Sequence, residues 1–258
     1  MVLTSLITLK KNNMKKNKKY ILGLVVIATL AITLVACEKS FDEKITLNND
    51  NAGNSIVQLY MATVGASRNY VYVDGRPQNG AALSSSSVFP ATGFGFMVPS
   101  GSRAFLLRDT LSTSTQIPLS FANILDRGKN YTIFAYDTIT AVKQKTVITD
   151  IVIPTDTTCR VRFAHFAYSP TLMPNIDLYS FKRVGNVISN IAPTDVSSFV
   201  PFASALNDTL QVREAGTTNV LAQLNGFLPT AKRSYTLIYR GTHRGATTVR
   251  FLSSFVNY

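Results

Sequence analysis

The chain has 258 residues, of which 46% are hydrophobic and 16% charged, with a formal net charge of +12 and two cysteines. That length excludes a large multidomain enzyme, the apolar fraction excludes a wholly disordered chain, and two cysteines exclude a disulfide scaffold. The basic excess invites a nucleic-acid reading, which its distribution removes.

Residues 1–36 carry six lysines (Lys10, Lys11, Lys15, Lys16, Lys18 and Lys19) and no acid. Met14, the expected true start, opens a basic segment followed by an apolar run from Tyr20 to Val35, the anatomy of a secretory signal. The run ends Leu34-Val35-Ala36-Cys37, which resembles a bacterial lipobox. Ala36 fits the small-residue position before the cut, and the Cys37 thiol takes up the diacylglyceryl group. The run is about 16 residues, below the roughly 20 needed to span a bilayer. Buried acyl chains contribute about 0.8 kcal/mol per methylene, so two or three chains anchor firmly. Without the signal, 20 Lys and Arg face 14 Asp and Glu, a net +6. A charge that small, outside the cytoplasm, makes nucleic acid an unexpected partner. Residues 37–55 are Asn-rich and aperiodic and read as a flexible tether. Its acids Glu38, Asp42 and Glu43, interrupted by Lys39 and Lys44, resemble surface-export signals of Bacteroidetes lipoproteins.

From Ile56 the chain repeats itself. Val57, Leu59 and Met61 align with Val161, Phe163 and His165 at an offset of 104, and the same offset maps Tyr131-Thr132-Ile133 onto Tyr235-Thr236-Leu237. Val98-Pro99 is matched to Val200-Pro201 by allowing a two-residue slip. Two tandem domains follow, 56–153 and 159–258, joined by a breaker-rich link at 154–158. Runs rich in Val, Ile, Phe, Tyr and Thr predict strands over 56–62, 69–74, 94–98, 103–108, 131–136 and 145–153. In the second repeat they predict strands over 160–166, 176–181, 197–202, 208–213, 220–224, 234–240 and 247–256. Asp74-Gly75 is a hairpin turn, with weaker turns at Arg183 to Asn186 and Glu214 to Gly216. The expected fold is all-β: two immunoglobulin-like β-sandwiches. Tyr131 and Tyr235 each open a late strand six or seven residues after a leucine, which resembles the tyrosine corner of such sandwiches.

The stretch Arg160-Val161-Arg162-Phe163-Ala164-His165, then Ser169-Pro170 and Ile176-Asp177-Leu178-Tyr179, resembles domain-of-unknown-function family 4397. Repeat one carries a worn copy in Val57 to Ala62 and Tyr70 to Gly75, and Gly128 to Thr132 matches the later Gly-x-x-Tyr-Thr element. The tripeptide Phe166-Ala167-Tyr168 before Ser169 departs from the pattern. The resemblance implies anchored or secreted bacterial proteins with immunoglobulin-like repeats, and no activity.

His165 shares strand parity with Val161 and Phe163, and its counterpart is Met61, so it reads as a hydrogen-bonded core histidine rather than a base or ligand. His243 reads as a hairpin tip, with no metal-ligand spacing to His165. Cys159 reads as a small buried hydrophobe. Gly93-Phe94-Gly95-Phe96 precedes no helix, so it marks a close backbone approach rather than a phosphate loop. Repeat two holds 10 bases against 4 acids, with Arg240, His243 and Arg244 as candidate binders of an anionic glycan or phosphate. Tyr70, Tyr72 and Tyr168 could stack on sugars. No catalytic or metal motif and no cofactor is expected. The reading is a non-enzymatic outer-membrane lipoprotein for binding, adhesion or assembly, on the periplasmic or cell-surface face. The alternatives are a glycan-binding accessory protein of polysaccharide uptake, then a hydrolase with a site between the domains. Partners are the membrane through its lipid and a glycan or envelope protein.

Overall fold

The computed structural model describes residues 53–92, 94–244 and 249–258, and every regular element among them is a β-strand. The signal, the Ala36-Cys37 cleavage and lipidation site, residues 37–52 of the tether and Gly93 lie outside the described residues. Repeat one contains β1 (Asn54–Met61), β2 (Asn69–Val73), β3 (Arg76–Pro77), β4 (Val88–Phe89), β5 (Phe96–Pro99), β6 (Gly101–Asp109), β7 (Leu119–Leu125), β8 (Asn130–Tyr136) and β9 (Lys143–Ile148). Repeat two contains β10 (Cys159–His165), β11 (Ile176–Ser180), β12 (Gly185–Ile191), β13 (Val200–Phe202), β14 (Asp208–Glu214), β15 (Val220–Phe227), β16 (Ser234–Gly241) and β17 (Arg250–Val256).

Each repeat is a sandwich of two sheets. In repeat one they run β4-β1-β8-β9, with β5 also on β1, and β3-β2-β6-β7. In repeat two they run β13-β10-β16-β17 and β12-β11-β14-β15. The β1–β8 and β10–β16 pairs are parallel and their neighbours antiparallel, so the inner sheet of each repeat is mixed. Each sandwich has its own core. Val57, Leu59, Val71, Phe105 and Ile133 sit in the first, and Val161, Phe163, Leu178, Val212 and Leu237 in the second.

A third apolar cluster joins the repeats: Tyr60, Ala62 and Phe134 pack with Ala164, Phe166, Ile238 and Phe255. The inner sheets are therefore covered on both faces. This is why β1, β8, β10 and β16 read as near-continuous apolar runs instead of alternating ones. The four sheets and the shared cluster belong to one compact unit, Asp50–Tyr258.

Several sequence expectations need correction. Asn54 and Ser55 belong to β1, not to the tether, because they pair with Pro99 and Val98 and the Ser55 hydroxyl donates to Asp126 O at 2.6 Å. The two-residue slip disappears: Val57 pairs with Phe96 as Val161 pairs with Val200, so Phe96, not Val98, is the counterpart of Val200 and the offset stays at 104. Strands β7 and β12 were not expected, because Ser120, Ala122 and Asn123 dilute one and Gly185, Asn186 and Asn190 the other. Conversely β9 stops at Ile148. Ile151-Val152-Ile153, β-rich by composition, is a connection that leaves Val152 63% exposed.

Two local features follow from backbone sterics. Asp74 and Gly75 both have positive φ, 49° and 78°, as a two-residue type I′ hairpin requires. Gly95 has φ 146°, and a Cβ there would lie 2.8 Å from Val57 O, so the close approach expected of this stretch falls at this residue.

Candidate functional site

The inter-repeat interface has approximate two-fold logic. Gln58, Thr132 and Thr149 of repeat one occupy the positions of Arg162, Thr236 and Asn257 in repeat two. Equivalent residues meet reciprocally, as in an isologous dimer interface. Gln58 reaches across to Asn257, whose Nδ2 donates to Gln58 Oε1 at 2.8 Å, while Arg162 Nη2 reaches across to Thr149 Oγ1 at 3.3 Å. Within each repeat the matching pair is also joined, Thr132 to Thr149 at 2.7 Å and Thr236 to Asn257 at 2.5 Å.

Arg162 is 2% exposed and makes no salt bridge among the described residues. Its Nε donates to Thr236 Oγ1 and its Nη2 to Thr132 Oγ1, both at 2.8 Å, and the guanidinium carbon lies 4.8 Å from the Phe199 ring centroid. Burial drags its pKa down to about 9, against a smaller upward pull from Asp150. Arg162 lines a groove of about 350 Å³ between the repeats, with Val147, Asp150, Ser198 and Phe199. A pseudo-equivalent groove of about 490 Å³ lies between β17 and the 88–94 segment, where Phe94 stacks on Tyr258 at 4.8 Å and Arg233 sits over both rings.

The outer sheet of repeat two presents a second arrangement. Asn186, Tyr179, Gln211 and Gln223 form one row across all four strands. The Arg213 guanidinium lies 3.4 Å from the Tyr179 ring centroid, held by Gln211 Oε1, which accepts from Arg213 Nε at 3.0 Å and Nη2 at 2.8 Å. Gln211 Nε2 donates to Gln223 Oε1 at 2.8 Å, and Phe181 stands edge-on to Tyr179, 49% exposed. Repeat one repeats the motif at lower polarity: Arg108 stacks on Tyr72 at 5.0 Å, in a row with Leu106 and Ser120.

The residues singled out from sequence fall elsewhere. Arg240 turns toward the inter-repeat side, stacking on Phe251 and donating to Ser253 Oγ. Arg244 is exposed in the β16–β17 connection. His243 lies in the β16–β17 hairpin connection, as expected, but it is buried. It is 6% exposed because its Nδ1 meets the Tyr239 hydroxyl at 3.0 Å and its N–H donates to Tyr168 O. These three side chains thus form no common site. His165 is fully buried, 5.5 Å from the Tyr239 ring, and among the described residues neither ring nitrogen finds a partner at hydrogen-bond geometry, where a hydrogen-bonded histidine is expected. Burial pushes its pKa down to about 4, outweighing the nearby Ile191 backbone.

Cys159 is buried, its thiol pushed up to about 11 by burial, with Sγ 3.4 Å from Phe202 O. Tyr70, Tyr72 and Tyr168 are half-buried. The Tyr131 hydroxyl accepts the Asp126 N–H at 2.8 Å, and the Tyr235 hydroxyl accepts the Thr230 N–H at 2.9 Å, each closing a five-residue loop. Among the described residues no three His, Cys, Asp or Glu side chains come together, and no helix is long and apolar enough to cross a membrane.

Sequence reasoning passed over Arg162, Tyr179, Gln211 and Arg213. The available signal was an arginine inside an apolar strand whose repeat-one counterpart, Gln58, is also polar.

No family model and no curated protein matches the chain. Among solved structures it is similar to the crystal structure of CBMbc (family CBM26) from Eubacterium rectale Amy13K in complex with maltoheptaose. That match has 12% identity over 79% of this chain and 95% of that chain, with a TM-score of 0.25. A likeness at that TM-score carries no argument about fold or ligand.

Proposed function

We propose that the chain is a non-enzymatic, lipid-anchored binding module of the bacterial cell envelope, of the kind implied by its resemblance to domain-of-unknown-function family 4397, and that its ligand is a glycan. The observation that carries the reading is the row Asn186-Tyr179-Gln211-Gln223 with Arg213 stacked on Tyr179. The exposed Phe181 beside Tyr179 offers aromatic surface to the C–H face of a sugar, while the exposed Asn186 and Gln223 at the ends of the row and the Arg213 guanidinium offer polar groups to its hydroxyls. A rigid sheet holds these groups, so little conformational freedom is lost on binding. The same Tyr–Arg pair recurs on the outer sheet of repeat one, as Tyr72 and Arg108.

The lipobox-like Ala36-Cys37 supports anchoring at the outer membrane, with the Asn-rich stretch after it serving as the tether. The test is a glycan array probed with the chain from residue 37 onward carrying Cys37→Ser. Binding weakened at least tenfold by Tyr179→Ala and by Arg213→Ala supports the reading. A blank array, or binding indifferent to both substitutions, overturns it. The anchor is tested separately: Cys37→Ser in the full chain should shift mass and membrane partition, and no change in either refutes lipidation.

A further inference from the structure

We propose that the groove between the repeats at Arg162 binds the carboxylate of an acidic sugar, a hexuronate unit of the glycan inferred above. The inference rests on that glycan reading for the sugar ring, and on Arg162 for the charge.

The two halves of the interface are not alike. At this position repeat one uses a neutral residue: Gln58 donates to Val256 O at 2.8 Å and accepts from Asn257. That closes the network without any charge. Repeat two places a guanidinium at the same position, 2% exposed, and meets it only with threonine hydroxyls and the face of Phe199. Packing does not require this charge, since Gln58 fills the equivalent role, and burying an ion with Asp150 acting only from beyond ion-pair distance is destabilising.

Arginine is also suited to a carboxylate, because it keeps its charge when buried and its guanidinium can donate from a nitrogen that the protein leaves free. Nε and Nη2 are occupied by Thr236, Thr132 and Thr149. Among the described residues Nη1 donates no hydrogen bond to the protein, and Arg162 lines the groove.

The groove suits a sugar acid rather than a bare anion. Its roughly 350 Å³ lies at the small end of ligand pockets. Val147 and Phe199 offer apolar surface to a ring face, and Ser198 offers a hydroxyl. Asp150 also lines the groove and makes no salt bridge with Arg162, so its carboxylate is left to accept hydrogen bonds from sugar hydroxyls while Arg162 takes the sugar carboxylate. The pseudo-equivalent groove is not lined by Gln58 and has an aromatic stack at its wall.

The probe is trigalacturonate, titrated calorimetrically into the chain from residue 37 carrying Cys37→Ser, with its methyl ester and neutral oligosaccharides in parallel. Trigalacturonate should bind at least tenfold more tightly than the methyl ester. Arg162→Gln, which copies repeat one, should lose that preference at unchanged or raised Tm. Arg162→Lys, which keeps the charge but not the guanidinium held by the threonines, should retain part of it. Should Arg162→Gln fail to fold, the acid-against-ester comparison on the parent chain decides alone. Equal affinity for acid and ester, or a preference untouched by Arg162→Gln, overturns the inference. Neutral oligosaccharides binding through Tyr179 while trigalacturonate does not would overturn this inference and leave the glycan reading standing. Failure of every glycan overturns both.

Discussion

The two repeats share a frame and differ in what they place on it. Position by position at the constant offset, Gln58 faces Arg162, Met61 faces His165, and Thr132 faces Thr236. On the outer sheets the Tyr–Arg stack is common to both, but Leu106 of one row stands where Gln211 stands in the other. Repeat one also leaves Ile124 76% exposed on its outer strand β7. Repeat one is therefore the more neutral and apolar copy, and repeat two carries the buried arginine, two buried histidines and the amide row. A duplicated scaffold lets one copy keep packing residues while the other takes up groups that cost folding energy. The comparison can be broken at the shared interface, at a single divergent position, or at a feature both repeats keep.

The largest effect is expected at the interface. Phe134 is fully buried, stacked on Phe166 at 4.6 Å, and belongs to the cluster that both repeats build. Truncating a buried Phe costs about 3–5 kcal/mol. Phe134→Ala should lose that much and split one calorimetric transition into two, because the repeats lose their common core. Phe105→Ala, inside the first sandwich, should cost as much without splitting the transition. A loss under about 1 kcal/mol in Phe134→Ala would show that the repeats are energetically independent.

How far these features were legible depends on which face of a strand is concerned. The sandwich class and the repeat could be read because Val57, Leu59, Val161 and Phe163 obey a period of two toward their own cores. The partner of the other face could not be read, since Tyr60, Phe134 and Phe166 look like ordinary strand aromatics until the second sheet is placed against them. Arg162 was hidden for the same reason. His243 does lie in the β16–β17 hairpin connection, but its burial was not legible, because a basic, glycine-flanked loop suggests solvent whereas Tyr239 four residues earlier draws the ring inward. The outer row was hidden because Gln211 and Gln223 come into line with Tyr179 only through pairing across three strands.

The second prediction concerns Met61 against His165. An unfolded histidine takes its proton near pH 6.5, and the buried His165 does so only near 4. Between those values the unfolded chain binds more protons, so stability is full above about 6.5 and falls as the pH drops toward 4. The gap is worth roughly 3 kcal/mol. His243, whose pKa is lowered first by burial and then by Arg250 and Arg244, adds in the same direction. Asp195 faces His165 with the opposite sign, and Tyr239 stays neutral throughout. His165→Met, which copies repeat one, should match or exceed the parent at pH 7 and lose most of this acid sensitivity in urea unfolding series. Identical pH slopes for variant and parent would show that His165 is not the group responsible.

The smallest effect tests a feature both repeats keep. Each corner tyrosine accepts one backbone N–H, and the Tyr131 hydroxyl also donates to Asp126 Oδ2, so Tyr235→Phe removes one hydrogen bond and Tyr131→Phe two, each worth about 1 kcal/mol. The surroundings differ. The Asp126 N–H is partly buried, and Asp126 also sets its carboxylate 3.3 Å from the same hydroxyl, whereas the Thr230 N–H lies at an exposed position. Once the hydroxyl is gone, Thr230 can turn to water and Asp126 cannot do so fully. Tyr131→Phe should therefore cost more than Tyr235→Phe, by about 0.5–1 kcal/mol in denaturant midpoints at constant m. Equal losses would mean that water reaches both corners alike, and a larger loss in Tyr235→Phe would reverse the assignment of repeat one as the better-sealed copy.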